Sequence, residues 1–134
     1  MLPVEILIRL SITITLILLG VAGWSLANRL LLWRAGKNAV PQPASTTPKI
    51  LYFTTPSCAP CKTYQRPAIE QVKQSLGSQI EVVEIDASTQ PELASQWGVL
   101  SVPTTFILDA QGHPRHVNHG LTSAAKLLQQ LQIL

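Results

Sequence analysis

Two hydrophobic patterns divide the chain. From Leu10 to Asn28 the run LSITITLILLGVAGWSLAN holds no charged residue. Nineteen helical residues reach about 28 Å, close to the roughly 30 Å hydrocarbon core of a bilayer. Trp24 and Trp33 fall near its far end, where amphipathic rings favour the interface. The pattern predicts a flank over residues 1–9, then a transmembrane helix with its interfacial end over residues 10–33. Ser25-Leu26-Ala27 also resembles a signal-peptide cleavage site. The length of the run, and the apolar Leu30, Leu31, Leu32 and Trp33 beyond it, favour an uncleaved anchor. Residues 34–48 are expected to be a linker. Within it, NAVPQPASTTP holds three prolines among small polar residues and favours extended backbone over a packed element.

From Lys49 onward, short apolar runs alternate with amphipathic ones. KILYFTT (49–55) predicts a strand ended by Pro56, and residues 59–76 a helix with Ile69, Val72 and Leu76 on one face and Gly77 as its stop. IEVVEIDA (80–87) predicts a strand with Val82, Val83 and Ile85 in the core; Glu84 and Asp86 mark its polar end. PELASQW (91–97) predicts a short helix with Pro91 in its first turn. TTFILDA (104–110) is a third strand, Gln111-Gly112 turns it back, and residues 114–118 form a weaker fourth. Thr122 or Ser123 caps a final helix with Ala124, Leu127, Leu128, Leu131 and Leu134 inward. The order β-α-β-α-β-β-α implies an α/β domain over residues 49–134. A right-handed parallel crossover joins its first two strands and a hairpin its last two, giving a mixed four-stranded sheet flanked by helices.

Charge separates the same two regions. The net charge of +3 comes entirely from the first forty residues, where Arg9, Arg29, Arg34 and Lys37 face only Glu5. From Lys49 on, basic and acidic residues balance. A nucleic-acid binder would carry a basic patch on its folded domain, so no nucleic-acid partner is expected; the excess instead flanks the apolar run, as lipid headgroups favour. Three of the four basic residues follow the span, which places the C-terminal domain in the cytoplasm by the positive-inside tendency. The periplasmic or extracellular face is the alternative.

The chain has two cysteines, in Cys58-Ala59-Pro60-Cys61. A bridge across two residues closes almost no loop and constrains the unfolded chain little, so these cysteines are better placed to react than to staple. The motif follows a strand and opens a helix. Unpaired N–H groups and the positive dipole end there favour a thiolate at Cys58 and lower its pKa below that of a free thiol. Pro60 sits in the first turn, where a missing N–H costs nothing. One helical turn brings Cys61 close enough to resolve a mixed disulfide formed at Cys58. A CxxC is also half a zinc site, but zinc needs four ligands. No further cysteine exists, and His113, His116 and His119 do not share one strand face, so no metal site is expected.

These residues resemble the thioredoxin-like family over roughly residues 49–134. The Cys-Ala-Pro-Cys motif is similar to the family's Cys-Gly-Pro-Cys. Trp97-Gly98-Val99 with Ser101-Val102-Pro103-Thr104 is similar to the segment carrying its cis-proline, and Gly120 matches the glycine bordering its substrate groove. The resemblance implies a thioredoxin-like fold and a Val102–Pro103 bond that is cis. Val102, Pro103 and Gly120 would position an extended substrate, and Ala59 and Pro60 would shape the motif.

Departures are equally specific. Ser57 stands where the family has tryptophan, Tyr52 where it has a buried Asp, and Val82 where it has that residue's Lys partner. The kinking proline, Pro67, comes one residue late, and the family's first strand and helix are missing. His119, just before Gly120, is a candidate proton acceptor for Cys61, against a plain reading as a surface histidine; Trp97 reads as core or groove wall.

The expected function is a membrane-tethered protein disulfide reductase acting through Cys58 and Cys61. Its partners would be a protein disulfide substrate, an upstream thiol electron donor and the bilayer through residues 10–33. It is expected to be monomeric and to need no cofactor beyond the Cys58–Cys61 disulfide. A non-catalytic interaction module and a copper-handling protein are the alternatives.

Overall fold

The computed structural model describes residues 3–37 and 46–132. Helix α1, Val4–Lys37, is continuous, and residues 4–27 are exposed. Among the described residues it is the one helix long and apolar enough to cross a membrane. The hydroxyls of Ser11, Thr13 and Thr15 are satisfied internally. Ser11 Oγ donates to the Leu7 carbonyl at 2.7 Å, Thr13 Oγ1 to Arg9 at 2.6 Å, and Thr15 Oγ1 to Ser11 at 2.7 Å. The helix extends beyond the expected span at both ends, taking in residues 4–9 and 34–37. Residues 34–37 are thus helical and not linker; no proline interrupts the chain before Pro41. Residues 38–45 of the expected linker lie outside the described residues.

The second unit is an α/β domain. Strands β1 (Lys49–Thr54), β2 (Glu81–Asp86), β3 (Thr104–Leu108) and β4 (Pro114–His119) form one sheet in the order β2-β1-β3-β4. β1 and β2 are parallel; β1 with β3 and β3 with β4 are antiparallel. Strand periodicity sorts the core. Ile50, Tyr52 and Ile107 point to one face, where they pack with Cys61, Ile69, Val72, Leu127 and Leu131. Leu51, Phe53, Phe106 and Leu108 point to the other, with Ile85, Ala94 and Trp97. Trp97 is therefore core: its ring lies 5.0 Å from Phe106 and 6.5 Å from Phe53. β2 is an edge strand, so Ile85 is buried while Val82 and Val83 are only partly so.

Helix α3 covers Pro91–Gln96, and α4 covers Ala124–Gln132. Ser123 caps α4, its hydroxyl accepting the Lys126 N–H at 3.3 Å; the Thr122 hydroxyl points back to the Gly120 carbonyl. Leu134, expected inward, lies outside the described residues. The third strand stops short of Asp109, whose carboxylate caps the β3–β4 turn. It accepts the N–H groups of Gln111 and His113 at 3.0 and 2.8 Å and pairs with Arg115 at 2.7 Å. Gly112, at φ +84°, completes the turn.

The helix expected over residues 59–76 begins as such but is not regular throughout. A π turn, Cys61–Gln65, leads into α2, Arg66–Leu76. The cause is Pro67, which has no N–H and whose ring would meet the carbonyl four residues earlier. Widening the turn sends the Arg66 N–H to the Cys61 carbonyl, an i→i+5 bond.

Candidate functional site

Strand β1 ends at Thr54, and Thr55-Pro56-Ser57-Cys58 forms a β-turn closed by the Cys58 N–H on the Thr55 carbonyl at 3.1 Å. Proline at its second position suits that turn. Helical backbone starts at Ala59, so Cys58 occupies the N-cap position. Pro60, at φ −64° and ψ −27°, lies in the first turn, where it forfeits no intrahelical bond. The Cys61 N–H points at the Cys58 sulfur, 3.2 Å away. The sulfur thus takes the place that a serine or aspartate oxygen takes at other helix starts.

Cys58 and Cys61 are joined as a disulfide, with Cα atoms 5.3 Å apart. Both lie in the core, Cys58 the shallower at 9% exposure against 1% for Cys61. Ala59 and Pro60 are exposed beside them. Val102, partly buried, packs against the cluster holding both cysteines. The Val102–Pro103 bond is cis, and the Pro103 carbonyl accepts the Gly120 N–H at 2.8 Å. Next to Val102 opens a cavity of about 400 Å³, lined by Thr55, Ala87, Ala94, Val99 and Leu100 among others, none of them charged.

Beneath Cys61 lies Tyr52. Its hydroxyl donates to the Cys61 carbonyl at 3.1 Å, so that oxygen receives both the phenol and the Arg66 N–H. Burial pushes the Tyr52 phenol above its usual range, and the Glu84 charge adds to this, while Thr54 and Arg66 oppose it. It is protonated at neutral pH. The register sets Glu84, not Val82, across from Tyr52. Glu84 is exposed and pairs with Arg66 at 2.6 Å. His119 ends β4 opposite Thr104 and is exposed. His113 lies at the hairpin turn beside Asp109, and His116 on β4 opposite Ile107; among the described residues no three metal-ligating side chains cluster.

One further residue belongs to this region. Gln65, the last of the π turn, is fully buried, and both ends of its amide engage Thr122. A polar side chain on a helix reads as surface. The available signal is its spacing: Cys61, Gln65, Ile69 and Val72 recur at helical intervals on the buried side.

A strand-to-helix junction bearing an N-cap sulfur bonded to a more deeply buried one defines the class: a thiol–disulfide oxidoreductase. The family follows from comparison. The chain belongs to the thioredoxin family, whose sequence model matches residues 37–132. A thioredoxin-like protein of Synechocystis sp. is 40% identical over 89 residues, 66% of this chain and 83% of that protein. Chloroplastic thioredoxin Y of Oryza sativa is 33% identical over 88 residues, 66% of this chain but 51% of its own length. Among solved structures, chloroplastic thioredoxin z superposes with a TM-score of 0.60 at 26% identity, covering 66% of this chain and 78% of that one.

Proposed function

We propose that this chain is a membrane-tethered protein disulfide reductase. The carrying observation is a pair of bonded sulfurs at a helix start, one capping that start and belonging to the less deeply buried residue. In the reduced protein, Cys58 is the thiolate that a substrate can reach, held by the N–H groups of the first turn. It attacks one sulfur of a substrate disulfide, forming a mixed disulfide and releasing the other substrate sulfur as a thiolate. Cys61 then loses its proton and attacks Cys58 Sγ. The Cys58–Cys61 disulfide forms and the second substrate thiol leaves, so two electrons have passed to the substrate. A dithiol protein returns the cysteines to the reduced state.

By resemblance to the family, Val102, Pro103 and Gly120 make the wall that faces Cys58 and position the substrate chain. The Ala59-Pro60 pair, close to the family's Gly-Pro, favours the reducing direction. Reducing and strongly oxidising members differ by about 150 mV, roughly 7 kcal/mol; a measured potential above about −150 mV would reverse the assignment. Helix α1 is the tether, with every hydroxyl of Ser11, Thr13 and Thr15 returned to its own backbone as a lipid setting demands. Arg29, Arg34 and Lys37 favour a cytoplasmic domain, and labelling of the reduced protein in intact cells with an impermeant thiol reagent tests that side.

The central test is trapping. Cys61→Ser is expected to accumulate a mixed disulfide with protein substrates through Cys58, while Cys58→Ser accumulates none and loses insulin reduction. Equal trapping by both variants, or by neither, refutes the assigned roles.

A further inference from the structure

Gln65 sits outside the exchange chemistry, yet it is among the most completely buried polar side chains in the domain, at 1% exposure. Its Oε1 accepts the Thr122 N–H at 2.8 Å, and its Nε2 donates to the Thr122 carbonyl at 3.1 Å. One side chain thus satisfies both backbone groups of a residue 57 positions away. The segment it grips, residues 120–122, lies between the end of β4 and the cap of α4 and has no regular structure of its own. Buried backbone groups there need partners from elsewhere, and Gln65 supplies them.

The connection continues in both directions. Upstream, Gln65 is one turn after Cys61 in the same helix. Downstream, the Thr122 hydroxyl reaches the Gly120 carbonyl at 3.4 Å, and the Gly120 N–H holds the Pro103 carbonyl at 2.8 Å. An unbroken path of hydrogen bonds and backbone therefore runs from the cysteine helix to the Val102–Pro103 loop.

We infer that Gln65 is a positioning residue for polypeptide substrates: it fixes the separation between the Cys58 wall and the Val102–Pro103–Gly120 wall. This rests on the thiol–disulfide exchange reading above. A polypeptide must lie between the two walls to present its disulfide, whereas a small aromatic disulfide needs only the sulfur of Cys58. Loss of the clamp therefore penalises the first far more than the second.

The experiment uses the full chain, reduced, in detergent micelles. Rates are measured for insulin and for 5,5′-dithiobis(2-nitrobenzoate), and their ratio is compared across variants. Gln65→Met keeps bulk and removes both hydrogen bonds; the ratio is expected to fall about tenfold, with the loss in KM for insulin. Gln65→Asn keeps a neutral amide but is one methylene short, so it holds at most one of the two bonds; its ratio is expected between wild type and Gln65→Met, and it carries the test if Gln65→Met does not fold. Asp109→Ala is the control, because it weakens the hairpin at the other end of β3 and is expected to leave the ratio alone. If the Gln65 variants lose stability but keep the wild-type ratio, or if Asp109→Ala shifts the ratio equally, Gln65 is a structural tie only. If wild type reduces neither disulfide, the exchange reading itself fails.

Discussion

Tyr52→Phe separates two roles for the residue beneath Cys61. The phenol donates one buried hydrogen bond, to the Cys61 carbonyl at 3.1 Å. Removing the oxygen leaves the ring in place, so no large cavity opens. The Cys61 carbonyl keeps the Arg66 N–H, so it escapes the full penalty of an unpaired buried acceptor. The loss is then one net hydrogen bond, about 1 kcal/mol, or a Tm lower by roughly 4–8 °C for a domain of this size. The exchange step is expected to behave differently. A phenol titrates near pH 10 in water, and burial raises this one further, so it cannot take the Cys61 proton at pH 7. Loading Cys58 with 5-thio-2-nitrobenzoate and following its release as Cys61 attacks isolates that step. Its rate constant in Tyr52→Phe should stay within about twofold of wild type. A drop of tenfold or more in folded protein would make Tyr52 part of the proton path and refute the reasoning.

Other perturbations probe the frame around the site. Phe106 is fully buried, with its ring 5.9 Å from Phe53 and 5.0 Å from Trp97; Phe106→Ala should cost about 3–5 kcal/mol in denaturant unfolding, and a loss under about 1.5 kcal/mol would show that the cluster collapses to fill the gap. Asp109 loses by burial but gains more from the His113 N–H and Arg115, which hold its carboxyl below the usual range. A carboxyl whose folded pKa is depressed stabilises the fold above its unfolded pKa of about 3.9 and loses that contribution as pH falls through the folded value. Melts of Asp109→Asn from pH 6 to pH 2 should therefore show a shallower acid decline than wild type, though not a flat one, since Asp86 is lowered too by its bonds to Ser88 and Thr89; an unchanged slope would refute the assignment.

The element order and the junction carrying Cys58 are legible in the sequence because both depend on local pattern: alternation in KILYFTT, a 3.6-residue period through Ile69 and Val72, and a proline tolerated just inside a helix start. What is not legible depends on pairing between distant segments. The offset between β1 and β2 decides that Glu84 faces Tyr52, and no local pattern encodes an offset. The edge position of β2, which leaves Val82 and Val83 half-buried, follows from strand order. Asp109 continues an apolar run and so reads as strand; its carboxylate ends the strand by binding turn N–H groups. The helix end at Lys37 is missed because composition, which marks a spacer, does not mark where backbone bonding stops.

The departures from the family pattern converge on one carbonyl. Pro67, one residue late, forces the helix to widen, and the i→i+5 bond that results ends on the oxygen of Cys61. Tyr52, standing where the family has an acid, puts its phenol on that same oxygen. An acid there could not do so: an ionised carboxylate offers no proton to a carbonyl, and burying its charge beside an acceptor would cost several kcal/mol. A tyrosine at position 52 and a π turn at positions 61–65 are thus mutually consistent. Gln65 closes the set, because the widened turn ends with its amide inside the domain, bonded to Thr122. Where the family has a buried proton acceptor, this chain has buried hydrogen bonds to the Cys61 carbonyl and to Thr122. On the proposed exchange mechanism Cys61 would then give its proton to solvent, to His119 or to the departing substrate sulfur; in the last case the second step would track the basicity of the leaving thiol.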